Sequence, residues 1–264
     1  LRLNQWQTDQ DNFGSMYDFK VDNELTTYFG LTYALSEQYS LYASYTDIFA
    51  PQTLQRIDAS YIEPVKGKNY EAGIKASLMD ESLDMSLSVF EIRQDNVGER
   101  TGDVLPGTTI PVYREVNGTK TQGFEFESTG KITDDWNIYF GYTQFSTDDP
   151  KGNRINTTSP RQQLKLFTTY TFSGDWNKLQ LGAGVNWQSR VYQTVNSPLG
   201  RVEVEQDSYA LASLMASYAF TEQLKLSANV HNALDKTYYS QVGQYSQFQY
   251  GTPRSMSVNL DYRF

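Results

Sequence analysis

Apolar and polar residues alternate with a period of two along most of this chain. The last nine residues, "MSVNLDYRF" (256–264), place an apolar side chain at every even position. Such strict alternation is typical of β-strands with two chemically different faces. Comparable segments recur from Phe29 to the final Phe264, so the sequence predicts an all-β protein.

The chemistry of the two faces predicts which surroundings each one meets. Charged residues such as Glu71, Glu125 and Lys165 recur on the polar face. So many charges make it unsuitable as the packed interior of a soluble protein. The apolar face has aromatic residues near strand ends, as interfacial girdles do. These are Tyr39, Tyr70, Trp136, Trp187, Tyr218 and Phe220. The pattern predicts an antiparallel transmembrane β-barrel of the outer-membrane type; a soluble β-sandwich or a lipocalin-like barrel is the alternative.

The connections between the alternating segments are of two lengths. Short turns are expected near Ser36, Asp80, Asp134, Gly174 and Glu222. Long polar connections are expected at 49–66, 95–118, 147–160, 190–206 and 236–250. Short turns at one rim and long loops at the other are typical of outer-membrane barrels. We expect about twelve strands, the first of them partial, because "LRLNQWQTDQ" reads as the middle of a strand and the chain begins without Met.

Composition excludes several other classes of protein. Hydrophobic residues make up 39% of the chain, aromatic residues reach 14%, and no run of 18 apolar residues offers a transmembrane helix. Cysteine is absent, so disulfides and thiolate metal sites need no consideration. A net charge of −9 argues against nucleic-acid binding through phosphate contacts.

Several stretches resemble the C-terminal barrel region of TonB-dependent outer-membrane receptors. They are "SLYASYTDIFAPQ", "IEPVKGKNYEAGIKAS", "YREVNGTKTQGFEFESTGKITDDWNIYFGYT", "LKLSANVHNALDKTYYSQ" and "YGTPRSMSVNLDYRF". The resemblance covers nearly the whole chain. "IFAPQ", "GKNYEAGIK" and "EIRQDNV" are most similar to the siderophore branch, near the receptors for ferric hydroxamates, coprogen and pyoverdine.

This resemblance implies a particular architecture and location. The family's barrel has about twenty-two strands and is filled by an N-terminal plug, so residues 1–264 would be the C-terminal portion of the barrel without the plug. The implied location is the outer membrane of a Gram-negative bacterium, in contact with its lipid. The implied partners are a ferric siderophore and a TonB-type energy-coupling protein that acts through the plug. By the same analogy, Phe264 would be the residue that barrel-assembly machinery recognises.

The long connections contain the candidate ligand-binding residues. Aromatic side chains beside amides and arginines suit a large ligand that is partly polar and partly apolar. The candidates are Phe49, Gln52, Arg56, Arg190, Tyr192, Tyr245, Gln247, Phe248 and Tyr250. The iron of a ferric siderophore is already coordinated by its chelator, so we expect no metal ligands and no cofactor in the protein itself.

Other functions compete with this interpretation. His231, the only histidine, could be the base of an outer-membrane lipase, but the sequence identifies no orienting partner, so we expect no catalytic residue. A passive porin or an autotransporter-type barrel with twelve closed strands is the alternative from another class. Within the family, a receptor for cobalamin, haem or a carbohydrate also stays open.

Overall fold

The computed structural model describes residues 1–12, 15–197, 200–244 and 247–264, and these residues form nineteen strands and one short 3-10 turn. In chain order the strands are β1 (Arg2–Asn12), β2 (Ser15–Thr26), β3 (Tyr28–Ala34), β4 (Tyr39–Ala50), β5 (Val65–Leu78), β6 (Leu83–Asp95), β7 (Val97–Val104), β8 (Pro111–Val116), β9 (Thr119–Thr133), β10 (Trp136–Asp148), β11 (Gln162–Thr171), β12 (Leu179–Gln188), β13 (Val191–Ser197), β14 (Gly200–Gln206), β15 (Tyr209–Ala219), β16 (Leu224–His231), β17 (Tyr239–Gln244), β18 (Gln247–Tyr250) and β19 (Ser255–Tyr262). Within the described ranges, no helix is long and apolar enough to cross a membrane.

Eleven of these strands form one antiparallel sheet, which we call the wall. Its order is β19-β16-β15-β12-β11-β10-β9-β6-β5-β4-β3, so each strand lies beside the wall strands that precede and follow it along the chain. Among the described strands, β3 and β19 each have a single neighbour in the wall, so the sheet is open. This arrangement gives no support to a barrel in which these strands close on themselves.

The number of wall strands differs slightly from the expected twelve. Strands β1 and β2 pair with each other as a separate two-stranded sheet, and β2 leads into the wall at β3 after Thr27. The Asp47 carboxylate accepts hydrogen bonds from the Thr27 N–H, at 2.9 Å, and from its hydroxyl group. This contact fixes the junction against β4, and the expected partial first strand pairs with β2 alone.

The two rims of the wall have the predicted lengths of connection. Short turns join β3 to β4, β5 to β6, β9 to β10, β11 to β12 and β15 to β16. Long connections at the opposite rim span 51–64, 96–118, 149–161, 189–208 and 232–254. Three of them contain hairpins of their own, β7/β8, β13/β14 and β17/β18, where the sequence predicted only polar loops. We call these five connections together the cap.

Side chains in the wall are sorted in the opposite way to those of a soluble core. On the inner, polar face Ser88 and Ser217 are only 7% and 4% exposed. On the outer face Val89 is 57% exposed and Leu214 is 52% exposed. A continuous exposed apolar surface of this kind is unfavourable in water and suits contact with hydrocarbon. The predicted assignment of faces is therefore confirmed.

Aromatic pairs mark both ends of the outer apolar face. Near the cap, the rings of Tyr45 and Tyr70 lie 5.4 Å apart. At the other end, three strands that run in the same direction finish with the same aromatic-x-aromatic sequence. These pairs are Tyr170 with Phe172, Tyr218 with Phe220 and Tyr262 with Phe264, at 5.3, 5.0 and 5.1 Å. The two bands agree with the predicted interfacial girdles.

The cap has its own buried aliphatic side chains. Ile62, Val112, Ile155, Val191 and Val242 are each at most 6% exposed, and all five lie in the long connections. The hairpin β13/β14 packs against both β7 and β17. The cap is therefore a packed structure above one rim of the wall.

Candidate functional site

A cavity of about 1060 Å³ lies where the upper inner face of the wall meets the cap. Its floor comes from β4, β5, β6, β9 and β10, and its cap side from residues 154–161 together with Arg190 and Tyr192. This volume is at the upper end of the range for ligand pockets. The cavity is therefore the candidate site.

Five residues form one lateral row across the floor of the cavity, which we call the inner row. Glu71 pairs with Phe90, Phe90 with Gly123, and Gly123 with Phe145 in successive strand registers. The Phe145 N–H then donates to the Arg161 carbonyl at 2.9 Å. The row therefore has two phenyl rings between a carboxylate at one end and a guanidinium at the other.

Gly123 allows the two phenyl rings to share this row. A Cβ atom at that position would lie 2.2 Å from the Gln144 carbonyl oxygen and 2.7 Å from the Phe145 Cβ. Real Cβ atoms do not approach a backbone oxygen so closely. A larger residue would force β9 and β10 apart or displace Phe145, so glycine keeps the floor of the cavity flat.

Arg161 is held at the edge of the cavity by contacts with neutral groups. Its Nη1 donates to the Thr147 hydroxyl at 3.2 Å, and its Nη2 donates to the Ile155 carbonyl. The guanidinium carbon lies 5.1 Å from the centroid of the Phe145 ring. Burial is the main cause of a lowered pKa for Arg161; the nearby Asp148 carboxylate opposes the shift, and Arg154 adds to it. The group stays protonated at neutral pH because an arginine pKa is so high.

Two of the predicted binding residues, Arg190 and Tyr192, line the cavity. The Arg190 guanidinium lies over the Tyr192 ring at 4.5 Å and forms ion pairs with Glu203 and Glu205 across the β13/β14 hairpin. The hydrogen bond from Arg190 to Glu205 is the main cause of a raised pKa for Arg190. The Thr157 hydroxyl donates to the Tyr192 backbone carbonyl at 2.7 Å, which anchors the start of β13 to the 149–161 connection.

Three other predicted residues lie outside the lining of the cavity. Gln52 donates to the Glu63 and Asn96 carbonyls, and Arg56 pairs with Glu115 and donates to the Tyr61 carbonyl. Both side chains therefore fasten the 51–64 connection to its neighbours. Phe49 lies within β4, at a position of the same parity as outward-facing Tyr45, so it belongs to the wall.

The remaining predicted residues belong to the β17/β18 hairpin, apart from Tyr245, which lies outside the described residues. Phe248 and Tyr250 each have a ring centroid 4.8 Å from that of Tyr239. Phe248 is 44% exposed and Tyr250 is 65% exposed, while Gln247 is also exposed in the same strand. These three residues form an outer aromatic and amide surface of the cap rather than part of the cavity.

The sequence interpretation missed Phe90, Phe145 and Arg161. Phe90 follows Ser86 and Ser88 on the polar face, so it interrupts the alternation close to the rim with long connections. Phe145 interrupts the polar face of β10 in the same way. An aromatic residue at a polar-face position was the available signal.

The potential alternative chemistries have little support in the geometry. His231 is exposed at the end of β16, opposite Ser255. Within the described residues, it donates no hydrogen bond to a carboxylate. In the part of the chain that the structure describes, no cluster of three or more His, Cys, Asp or Glu residues is suited to a metal ion. The polar chemistry of the cavity is thus that of guanidinium groups, two carboxylates (Glu71 and Glu91), amides and hydroxyls.

Comparison with known proteins agrees with the fold. A family described as "TonB dependent receptor-like, beta-barrel" matches residues 1–233. The ferripyoverdine receptor of Pseudomonas aeruginosa is 40% identical over 245 residues, which are 90% of this chain and 30% of that protein. The ferric-pyoverdine 358 receptor of Pseudomonas putida is 38% identical over 242 residues, 91% of this chain and 29% of that protein.

Solved structures are similar as well. The crystal structure of the ferripyoverdine receptor of the outer membrane of Pseudomonas aeruginosa, bound to ferripyoverdine, matches with a TM-score of 0.81 and 35% identity. The match covers 94% of this chain and 34% of that chain. The chain thus spans about a third or less of the proteins it matches here.

Proposed function

The chain belongs to the TonB-dependent receptor β-barrel family, and on this premise we propose that it forms part of a receptor that takes up a ferric siderophore. Barrels of this family lie in the outer membrane of Gram-negative bacteria, so the wall crosses that membrane with its apolar face in lipid. In this orientation the short turns face the periplasm and the cap faces the outside of the cell.

The cavity with its inner row is the observation that carries this proposal. Two phenyl rings, Phe90 and Phe145, offer apolar contact, and Arg161 and Tyr192 offer polar and aromatic contact from the cap side. At about 4.8 Å between neighbouring strands, the row from Glu71 to Arg161 covers roughly 19 Å of sheet. A ferric siderophore is a ligand of that size and mixed polarity. The names of the relatives make ferric pyoverdine the first ligand to test.

The proposed receptor is larger than the wall described here. The free edges at β3 and β19 would pair with further strands, giving a barrel of about twenty-two strands filled by a plug. Residues 1–264 would then supply the C-terminal portion of that barrel. A TonB-type protein would act on the plug to release the bound ligand, so energy coupling would not involve the wall directly.

The proposed activity is binding and transport without catalysis. The family is one of transport receptors. Iron would enter as cargo inside its chelator, which fills the coordination sphere, so the protein would need no cofactor of its own. The wall residues would only shape and orient the complex.

We assign different roles to the candidate contact residues. Arg190 and Tyr192 would contact the bound ligand because they line the cavity. Gln247, Phe248 and Tyr250 would make the first contacts as the ligand reaches the cap, because they are exposed outside the cavity. Gln52 and Arg56 would act by holding the 51–64 connection in place.

Uptake of radioactive iron tests the proposal. The complete receptor containing this chain is expressed in Gram-negative cells that lack their own siderophore receptors, and ferric pyoverdine is supplied. We expect saturable uptake that stops when the TonB-type protein is deleted. Replacing both rings, Phe90→Ala with Phe145→Ala, should weaken binding by about 10-fold or more, since each buried aromatic contact contributes about 1 kcal/mol beyond its area.

The matched control is Phe220→Ala, which removes an exposed ring at the opposite rim. It should leave ligand affinity unchanged. Uptake that never saturates and needs no energy coupling would instead indicate a passive barrel.

A further inference from the structure

We propose that Arg161 and Arg154 form an anion-binding subsite at the cap end of the inner row, and that the siderophore places a carboxylate or similar anionic group there. This inference rests on the proposed function and adds the chemistry of one part of its ligand. Both side chains line the cavity. Arg154 is brought to this position by a bridge between its backbone and that of Asp148.

The hydrogen-bond partners of the Arg161 guanidinium are neutral, although two charged groups lie near it, the Arg154 guanidinium and the Asp148 carboxylate. Its two guanidinium hydrogen bonds go to the Thr147 hydroxyl and the Ile155 carbonyl. Thr147 is only 7% exposed and also shares a hydrogen bond of 2.9 Å with the Thr121 hydroxyl. A guanidinium has five N–H donors in a planar fork, so the group keeps donors available after these two bonds. The contacts fix its plane beside the Phe145 ring without an ion pair, and the nearby Asp148 carboxylate offsets its charge only from beyond ion-pair distance.

Several other arginines of the cap are paired with carboxylates. Arg56 pairs with Glu115, Arg114 with Glu99, and Arg254 with Asp235. In the described ranges, neither Arg154 nor Arg161 forms an ion pair with a carboxylate. This difference is notable in a chain whose net charge is −9, because carboxylates are abundant.

Physical chemistry points to an external anion as the missing partner. A partly buried cation next to a second cation is unfavourable unless an opposite charge compensates it. Guanidinium groups bind carboxylates in a planar, bidentate arrangement, and such charge-assisted hydrogen bonds are stronger than neutral ones. A ligand whose chelate lies over Phe90 and Phe145 would bring a terminal anionic group to Arg161.

A matched pair of probes separates this subsite from the rest of the cavity. The probes are two ferric linear trihydroxamates, one ending in a free carboxylate and the other in the corresponding primary amide. Binding is measured on the complete receptor in outer-membrane vesicles, with ferric pyoverdine as a reference ligand. The variants are Arg161→Gln, Arg161→Lys and Arg154→Gln. The control is Arg201→Gln, which changes an exposed arginine of β14 that is not among the residues lining the cavity.

We expect the unchanged receptor to prefer the carboxylate probe. Arg161→Gln should weaken that probe by about 10- to 100-fold, the effect of losing a hydrogen bond to a charged group, and change the amide probe by less than about 3-fold. Arg161→Lys should restore part of the preference, and Arg154→Gln should reduce it by a smaller factor. Arg201→Gln should change neither probe.

Two results would reject the anion-binding subsite alone, and a third would reject the proposed function as well. An equal loss of affinity for both probes in Arg161→Gln would mean that Arg161 only holds the 149–161 connection, while ligand uptake as proposed still stands. An unchanged receptor that binds ferric pyoverdine but does not distinguish the two probes would also reject the subsite alone. Failure to bind any of the three ferric complexes would reject the proposed function itself.

Discussion

The wall and the cap sort the same kinds of side chain in opposite ways. In the wall, buried Ser88 is followed by Val89, which is 57% exposed. In the cap, Ile62 is fully buried, whereas polar groups lie mostly at its surface. The difference shows that the surroundings of each region, rather than a universal rule, decide which residues are inside. The wall has hydrocarbon outside and water inside, and the cap has water outside.

The largest expected effect comes from breaking the core of the cap. Ile62→Ala removes a fully buried side chain that packs beside Leu54 and Gly98, so it should destabilise the cap by about 2 to 5 kcal/mol. Limited proteolysis on intact cells should then cut residues 51–64 and 96–118 faster. The control Ile57→Ala changes a side chain that is 57% exposed, and we expect no effect from it. Equal cutting in both variants would show that the cap has no packed core.

The next effect comes from charging the outer face of the wall. Leu166→Lys places a cation between Phe140 and Val185, and we expect a cost of about 2 to 4 kcal/mol for a cation near the middle of the bilayer. The measurement is the fraction of receptor that migrates as a folded barrel in an unheated gel. Gln163→Lys, on the inner face of the same strand, should leave that fraction unchanged. Tolerance of Leu166→Lys would argue against a lipid-facing surface there.

A smaller effect, on ligand affinity, is expected from removing single aromatic rings of the cap. It should differ between a ring on the cavity side and a ring on the outer side. Tyr192→Ala removes a ring that lines the cavity, so affinity for ferric pyoverdine should fall by about 10-fold. Tyr250→Ala removes a ring that is 65% exposed outside the cavity, and its effect should stay below about 3-fold. Equilibrium binding to the complete receptor compares the two. The reverse order would move the main contact from the cavity to the β17/β18 hairpin.

The smallest effect concerns a turn of the cap, and it depends on pH. The Asp149 carboxylate accepts hydrogen bonds from the Asn153 side chain, at 3.0 Å, and from the N–H groups of Lys151 and Asn153, both at 2.8 Å. These bonds, those of Asn153 foremost, hold the pKa of Asp149 below its ordinary value. Because the pKa in the folded state is depressed, the stabilisation is present at neutral pH and is lost as pH falls below about 4.

Cleavage within residues 149–153 measures this contribution of Asp149. At pH 7, Asp149→Ala should be cut somewhat faster than the unchanged receptor, whereas Asp207→Ala, elsewhere in the cap, should not. With an acid-active protease, the difference between the variant and the unchanged receptor should shrink steadily as the pH is lowered below about 4 and through the depressed pKa of Asp149, because the carboxyl group then becomes protonated. A difference in cleavage rate that persists at low pH would show that the charge of the Asp149 carboxylate does not stabilise the turn.

The regions also differ in how far the sequence alone predicts them. The wall could be predicted closely, because period-two alternation fixes both the strands and their faces, as in β6 from Leu83 to Val89. The hairpins of the cap could not, because their strands are short, and in two of the three hairpins the register shifts, as between Arg100 and Val104. Alternation lasts too few residues there to separate a hairpin from a polar loop.

The candidate site was predicted only in part, for a related reason. Arg190 and Tyr192 stand out in the sequence because an aromatic residue lies close to a cation in an otherwise polar connection. The inner row depends on a register between strands far apart along the chain, such as Phe90 beside Gly123. Phe49 shows the converse: continuing the parity of Tyr45 by four residues would have placed it on the wall.

The assignment of faces in the wall can be measured directly on β6. This chain contains no cysteine, so in a complete receptor from which any cysteine elsewhere has been removed, single cysteines at positions 84–89 can each carry a spin label in lipid vesicles. Labels at Met85, Leu87 and Val89 should collide with lipid-soluble oxygen, and labels at Asp84, Ser86 and Ser88 should be shielded from it. Accessibility without a period of two, or with the two sets exchanged, would contradict the account.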